Sequence, residues 1–208
     1  MDKLLLLSTS LFTMINPLGV VPLYLNFTDG FTPKARRKVV FSACLTAFIA
    51  LCVFALGGQA IFNYFGISTH GLRVVGGVLF FLMGYEMLRG RTVPKKLPQE
   101  SDDDFGSDIA ITPLGIPMIC GPGAITMVIL FMQNADTVID QGTVISAIFC
   151  VCVVSAIILM AGEKIMSLLG KGGSNVLMRL MGLIVMLIAV EFFFAGLKHY
   201  VGYLTEAL

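Results

Sequence analysis

Charge is what this sequence has least of. Asp, Glu, Lys and Arg make up 13% of its 208 residues, against about 25% in a typical soluble chain. Such a chain cannot cover itself with a solvated surface, so a soluble catalytic unit is excluded and no enzymatic activity is expected. Histidine is nearly as scarce. The two residues present, His70 and His199, are far apart in sequence, and no His-based metal site is legible. The acidic run Asp102, Asp103, Asp104 has no calcium-loop spacing. No kinase, nuclease or metal-hydrolase motif occurs, and a net charge of +1 gives no sign of a nucleic-acid partner.

Apolar length is abundant instead. Hydrophobic residues reach 57%, and the mean hydropathy is +0.90. Stretches of about 20 apolar residues, enough to cross a bilayer, fall at 4–28, 39–65, 71–88, 110–133, 143–168 and 180–204. The first lacks a basic leader region and an A-x-A cleavage pattern, so it reads as a retained span. The chain is therefore expected to be an all-α protein with six transmembrane helices and the lipid bilayer as its solvent.

Basic residues set the orientation. Eleven flank the connections after the first, third and fifth spans: Lys34, Arg36, Arg37, Lys38, Arg89, Arg91, Lys95, Lys96, Lys164, Lys171 and Arg179. Only Lys3, Arg73 and Lys198 lie on the other side. The positive-inside rule places the first group in the cytoplasm and both termini outside. The polar, Pro-containing stretch at 91–109 then reads as a cytoplasmic linker between a first unit (1–90) and a second (110–208).

Two of these spans carry residues that a continuous helix resists. "NPLGVVPLY" holds Asn16, Pro17, Gly19 and Pro22, and "TPLGIPMICGPGAIT" holds Thr112, Gly121, Pro122, Gly123 and Thr126. Each proline costs roughly 3 kcal/mol in a helix interior. The first span is expected to divide into Leu4–Ile15 and Leu18–Thr28, the fourth into Ile109–Ile119 and Gly123–Gln133. Each half would be about 17 Å long, reaching halfway through the hydrocarbon. Lipid cannot satisfy backbone groups freed at such breaks, so protein, water or a ligand must.

A displacement of 105 residues carries Pro17 onto Pro122, Gly77 onto Gly182 and Glu86 onto Glu191. Three spans per half is an odd number, so the second half would cross the membrane in the opposite sense. That is an inverted repeat, whose substrate site is expected near the midplane between paired broken helices. Helix N-termini there suit a carboxylate, and Thr13, Asn16, Thr112 and Thr126 are candidate neutral hydrogen-bonding partners. Glu86 and Glu191 are the candidate coupling carboxylates, although Glu86 also stands three residues before Arg89, the spacing of a solvated helix pair. The coupling ion, proton or sodium, is not legible, and no cofactor or metal is expected. A thiol carrier would need a cysteine in each broken helix; Cys120 has Ile15 as its counterpart, which argues against that class. A membrane scaffold without transport is the other alternative.

"NPLGVVPLY", "FGISTHGLRVVGG", "PLGIPMICGPGAI" and "GKGGSNVLMRLMGLIV", in that order, resemble the MarC (UPF0056) family of bacterial and archaeal inner-membrane proteins. The resemblance covers nearly the whole chain and is weakest in the linker. It implies a multi-pass plasma-membrane protein related to the LysE transporter superfamily with three-plus-three repeats. Some relatives are assigned as small neutral amino-acid transporters, so a small-molecule substrate is implied. The family pattern carries onto Asn16, Pro17, Gly19 and Pro22, and onto Pro113, Pro117, Gly121, Pro122 and Gly123.

Overall fold

The computed structural model describes residues 2–66, 68–89 and 110–206. The expected linker, with Asp102–Asp104, lies outside the described residues. Among those residues the chain is helical, with no strand. Helices α1 (Asp2–Ile15) and α2 (Pro17–Phe27) are followed by α3 (Pro33–Phe65) and α4 (Thr69–Arg89). An irregular segment, Ala110–Ile119, then leads into α5 (Pro122–Gln133) and α6 (Val138–Glu206). Five helical stretches are long and apolar enough to cross a membrane, or six if the bent pair Ala110–Ile119 and Pro122–Gln133 is one span.

Local chemistry sets these boundaries. Thr32 is extended and its hydroxyl accepts the Ala35 N–H at 3.2 Å, with Pro33 in the first helical position; this is a helix start that both residues favour. Helix α3 ends on Gly66 in the left-handed region, where glycine carries no steric penalty. Its 33 residues amount to about 50 Å, longer than a ~30 Å hydrocarbon core. The expected span began at residue 39 because hydropathy registers only the apolar part and not the basic first turn. Large apolar residues such as Phe41, Leu56 and Leu187 are exposed, as a lipid-facing surface requires.

The segment before α5 corrects the expected half-helix over Ile109–Ile119. Thr112 (φ −133°, ψ 121°) and Ile116 (φ −133°, ψ 124°) are extended, and Gly121 is extended as well. Each precedes a proline, whose Cδ disfavours helical geometry in the residue before it. The Ile116–Pro117 peptide is cis. What remains between the prolines is a wide coil in which the Cys120 N–H reaches back five residues to the Gly115 carbonyl, at 2.8 Å. The pair of helical pieces bends by 59°.

Helix α6 contains two candidate spans, Val138–Gly162 and Asn175–Lys198, and their contacts require the chain to double back between them. Gly162 packs on Val21, while Ile188 faces the same space as Gly19 and Val20; a straight helix would hold Gly162 and Ile188 roughly 39 Å apart. The first span runs alongside α1 and α2, tied by Lys3–Asp140 at one end and Gly162–Val21 further along. The second runs antiparallel to α4, where backbones approach so closely that only glycine fits. A Cβ on Gly77 would lie 2.8 Å from the Ala189 carbonyl oxygen and 2.8 Å from the Phe193 nitrogen. A Cβ on Gly182 would lie 2.7 Å from the Gly84 oxygen and 2.8 Å from the Leu88 nitrogen. Residues 182, 189 and 193 stand 105 positions after 77, 84 and 88, so the two sets of contacts follow the spacing of the sequence repeat.

Candidate functional site: two broken helices around one cavity

The first break is a single residue wide. Asn16 adopts φ 47°, a left-handed conformation that Asn tolerates better than most side chains. Its N–H closes α1 on the Phe12 carbonyl at 2.9 Å, and its own carbonyl accepts the Gly19 N–H at 2.9 Å to begin α2. Pro17 follows as the first residue of α2, where the missing N–H costs little. In a continuous helix that position would donate to the Thr13 carbonyl; proline cannot. The Asn16 amide lies over Gly19, where a Cβ would come within 2.7 Å of Nδ2.

The second break is packed shut. Gly121, Pro122 and Gly123 are buried, with Gly121 against the Phe80 ring and Pro122 against Gly76, where a Cβ would meet the proline Cγ at 2.4 Å. Gly123 lies beside Phe192 and the Met14 sulfur. Phe80 and Met14 also wall a cavity of about 50 Å³ that opens beside Asn16 and Gly19. The first break thus lines this space, and the second lies behind its Phe80 and Met14 walls. Its remaining walls include Met83, Met87, Met118, Val185 and Ile188, and Asn16 is the polar side chain among them. Phe80 with Val185, and Met83 with Ile188, are again 105 residues apart.

This cavity adjoins a larger one of about 260 Å³, with which it shares Leu23, Met83 and Met118. Glu86 stands in the wall of the larger space. The expected Glu86–Arg89 pair is not formed: the Arg89 guanidinium lies over the Tyr85 ring, 5.2 Å from its centroid, and among the described residues Glu86 has no ion-pair partner. At the opposite end of the bundle, where α1 begins, polar contacts join separate elements. Lys3 pairs with Asp140, Gln133 donates to Gln59, and Ser68 and Tyr200 share a hydrogen bond of 2.9 Å.

The structure brings Asn16, Pro17, Gly19, Gly121, Pro122 and Gly123 to this one region. Pro22 is buried one turn further along α2. Thr126 is buried, and its hydroxyl donates to the Pro122 carbonyl at 2.9 Å. Thr13 is exposed and its hydroxyl bonds the Thr9 carbonyl, and Thr112 is exposed on the irregular segment; neither lines the cavity. Glu191 is exposed and lines neither cavity. The five cysteines are free thiols. No group of three or more His, Cys, Asp or Glu suited to a metal ion occurs among the described residues. Sequence reasoning missed Phe80 and the four methionines, because an apolar residue in an apolar span carries no distinguishing pattern.

Comparison with known proteins places this arrangement. The model of the MarC family of integral membrane proteins matches residues 1–201. A UPF0056 membrane protein of Pyrococcus horikoshii is 38% identical over 198 residues, 95% of this chain and 96% of its own. The UPF0056 membrane protein YvbG of Bacillus subtilis is 34% identical over 200 residues, 95% of each chain. A further UPF0056 membrane protein, from Archaeoglobus fulgidus, is 33% identical over 193 residues, 92% of this chain and 90% of its own. No solved structure matches.

Proposed function

The chain belongs to the MarC family of multi-pass integral membrane proteins, and from that premise we propose that it is a secondary transporter of a small neutral amino acid in the plasma membrane. The observation that carries this reading is the placement of two proline-broken segments around one cavity, the first in its wall and the second packed behind its Phe80 and Met14 walls, with helix contacts recurring at the 105-residue spacing. A membrane scaffold has no use for helix breaks of this kind, since each leaves backbone groups that lipid cannot serve. In an inverted-repeat transporter, paired breaks form the substrate site.

In this reading the substrate carboxylate meets the first turn of α2 and the Asn16 amide, where the helix dipole favours negative charge. The apolar walls and the flexible methionines accommodate a small side chain. The space at the break, about 50 Å³, is narrower than the adjoining 260 Å³ cavity, and in this reading loading widens it as the repeats rock apart. The contacts Lys3–Asp140, Gln59–Gln133 and Ser68–Tyr200 hold the end where α1 begins, assigned to the outside by the distribution of basic residues. The wider cavity at Glu86 lies toward the cytoplasm in that orientation, so the arrangement corresponds to a state closed to the outside.

Purified protein in proteoliposomes, assayed for uptake of radiolabelled alanine, glycine and serine against protein-free vesicles, tests the reading. Saturable uptake of at least one is expected. Absence of uptake for all three, with and without sodium or proton gradients, would sink it.

A further inference from the structure

Ser155 is a buried polar side chain with no role in the transport reading. It lies in the first span of α6, 0% exposed, and its hydroxyl has no hydrogen-bond partner. Serine and threonine in a helix commonly turn the hydroxyl back to the carbonyl four residues before. Thr143 and Ser146 do so on the same helix, to the carbonyls of Ile139 and Gly142, each at 2.8 Å. Ser155 does not, and a buried hydroxyl left without a partner is costly.

Its position supplies a reason. Lys3–Leu25 continues as one span through the first break and runs alongside α6 in the same direction, from the Lys3–Asp140 pair to the contact of Gly162 with Val21. Ser155 stands about two turns before Gly162 and so on the same side of α6. Two turns before Val21 is Met14, whereas counting forward from Lys3–Asp140 brings Ser155 level with Leu18. The two counts bracket Asn16, so Ser155 faces the break. There α1 ends on carbonyls that lose their helical donors: Pro17 has no N–H for Thr13, and the Gly19 N–H, which a continuous helix would give to Ile15, goes to Asn16. This end of a helix carries partial negative charge. A hydroxyl and carbonyls are neutral, hard oxygens of the kind that bind alkali cations at unwound membrane helices, while divalent cations recruit carboxylates. No gap wide enough for water lies beside Ser155, which favours a small dehydrated ion over potassium or an ammonium group.

We propose that the Ser155 hydroxyl and the last carbonyls of α1, those of Thr13 and Ile15, bind a sodium ion at the first break. The role of the ion rests on the transporter reading: its charge offsets the substrate carboxylate at the first turn of α2, which makes sodium the coupling ion. Binding itself does not depend on transport.

The test uses full-length protein in nanodiscs, with melting temperature read in the chlorides of sodium, potassium and choline at equal ionic strength. Sodium is expected to raise the wild-type melting temperature saturably over choline, and potassium to fall short of it. Ser155→Ala should melt no lower than wild type in choline, because it removes an unpartnered buried hydroxyl, and should need about tenfold more sodium for half of the rise, the scale of one ligand to a charged group. Pro17→Ala returns a donor to the Thr13 carbonyl and should weaken the sodium response as well; it serves if Ser155→Ala does not fold. Equal melting of wild type in the three salts overturns the proposal, as does a sodium response in Ser155→Ala equal to that of wild type. Failure of alanine uptake in proteoliposomes beside a sodium shift that depends on Ser155 would remove the transporter reading and leave the ion site; uptake without any sodium shift would do the reverse.

Discussion

The two helix breaks occupy equivalent positions in the sequence repeat, yet they sit in opposite surroundings. Asn16 at the first is half-buried and faces open space, its backbone held in a left-handed conformation. Gly121 and Pro122 at the second are buried against Phe80 and Gly76. A symmetric pair of breaks would be expected to look alike if each were only a packing device. In the proposed transporter reading the difference corresponds to one half open while the other is closed, and exchange of these environments would be the transport step. It also separates the prolines' roles here: Pro17 preserves a gap, and Pro122 fills one.

The sharpest way to break that contrast is to substitute each proline. Pro17→Ala permits α1 and α2 to fuse, and a regular helix interior favours Ala over Pro by about 3 kcal/mol; the variant should melt no lower than wild type while uptake falls by two orders of magnitude or more. Pro122→Ala removes the ring that fills the space beside Gly76, so its melting temperature should drop as well as its uptake. Paired melting and uptake assays decide between these patterns. Wild-type uptake by Pro17→Ala would show that the first break is dispensable and that the site lies elsewhere.

A smaller effect sharpens the equivalence of the halves. Gly77→Ala and Gly182→Ala each drive a methyl group to within 3 Å of opposing backbone, and overpacking of this kind costs typically 1–3 kcal/mol. Because the two contacts repeat at one spacing, the two variants should lose similar stability in matched thermal or denaturant unfolding. A loss confined to one of them would mean that the 105-residue recurrence does not reflect equivalent packing.

Gentler still is loosening the end held by Lys3–Asp140. With native cysteines replaced, Asn16→Cys should react slowly with a membrane-impermeant thiol reagent applied from the side where α1 begins. Adding Lys3→Ala should raise that rate several-fold, since an exposed ion pair contributes little to folding but can bias two nearly balanced states. Rapid labelling with Lys3 intact would show that this end is already open.

The breaks were legible in sequence because proline and glycine act on the backbone directly and do so wherever they stand. The recurrence at 105 was legible because Pro17, Gly77 and Glu86 have chemically unmistakable counterparts in Pro122, Gly182 and Glu191. The regular half-helix expected before Cys120 failed on a local rule: Thr112 and Ile116 both precede prolines, and the restriction on such residues outweighs apolar continuity. The two spans within Val138–Glu206 were anticipated from hydropathy, at 143–168 and 180–204, and both overlap the spans of the structure. Which side of a helix meets the cavity was the least legible feature. Thr13 and Asn16 are three residues apart, but the left-handed turn at Asn16 ends the helical register on which a shared face would depend.

That register supplies the smallest expected effect and the finest test of the site's boundary. Thr13 donates to the Thr9 carbonyl on an exposed face of α1, and Thr112 is exposed on the irregular segment. Neither residue lines the space that Asn16 faces, so Thr13→Ala and Thr112→Ala should change alanine uptake by less than about twofold, within the range of surface substitutions. Asn16→Ala, by contrast, removes the polar side chain of the cavity and the residue best suited to its left-handed backbone, and should lower uptake at least tenfold, the loss expected when a half-buried polar recognition group is deleted. Measured side by side, the three variants locate the edge of the site. A loss at Thr13 comparable to that at Asn16 would extend the site onto the face of α1 that the structure leaves exposed, and would require α1 to rotate before substrate binds.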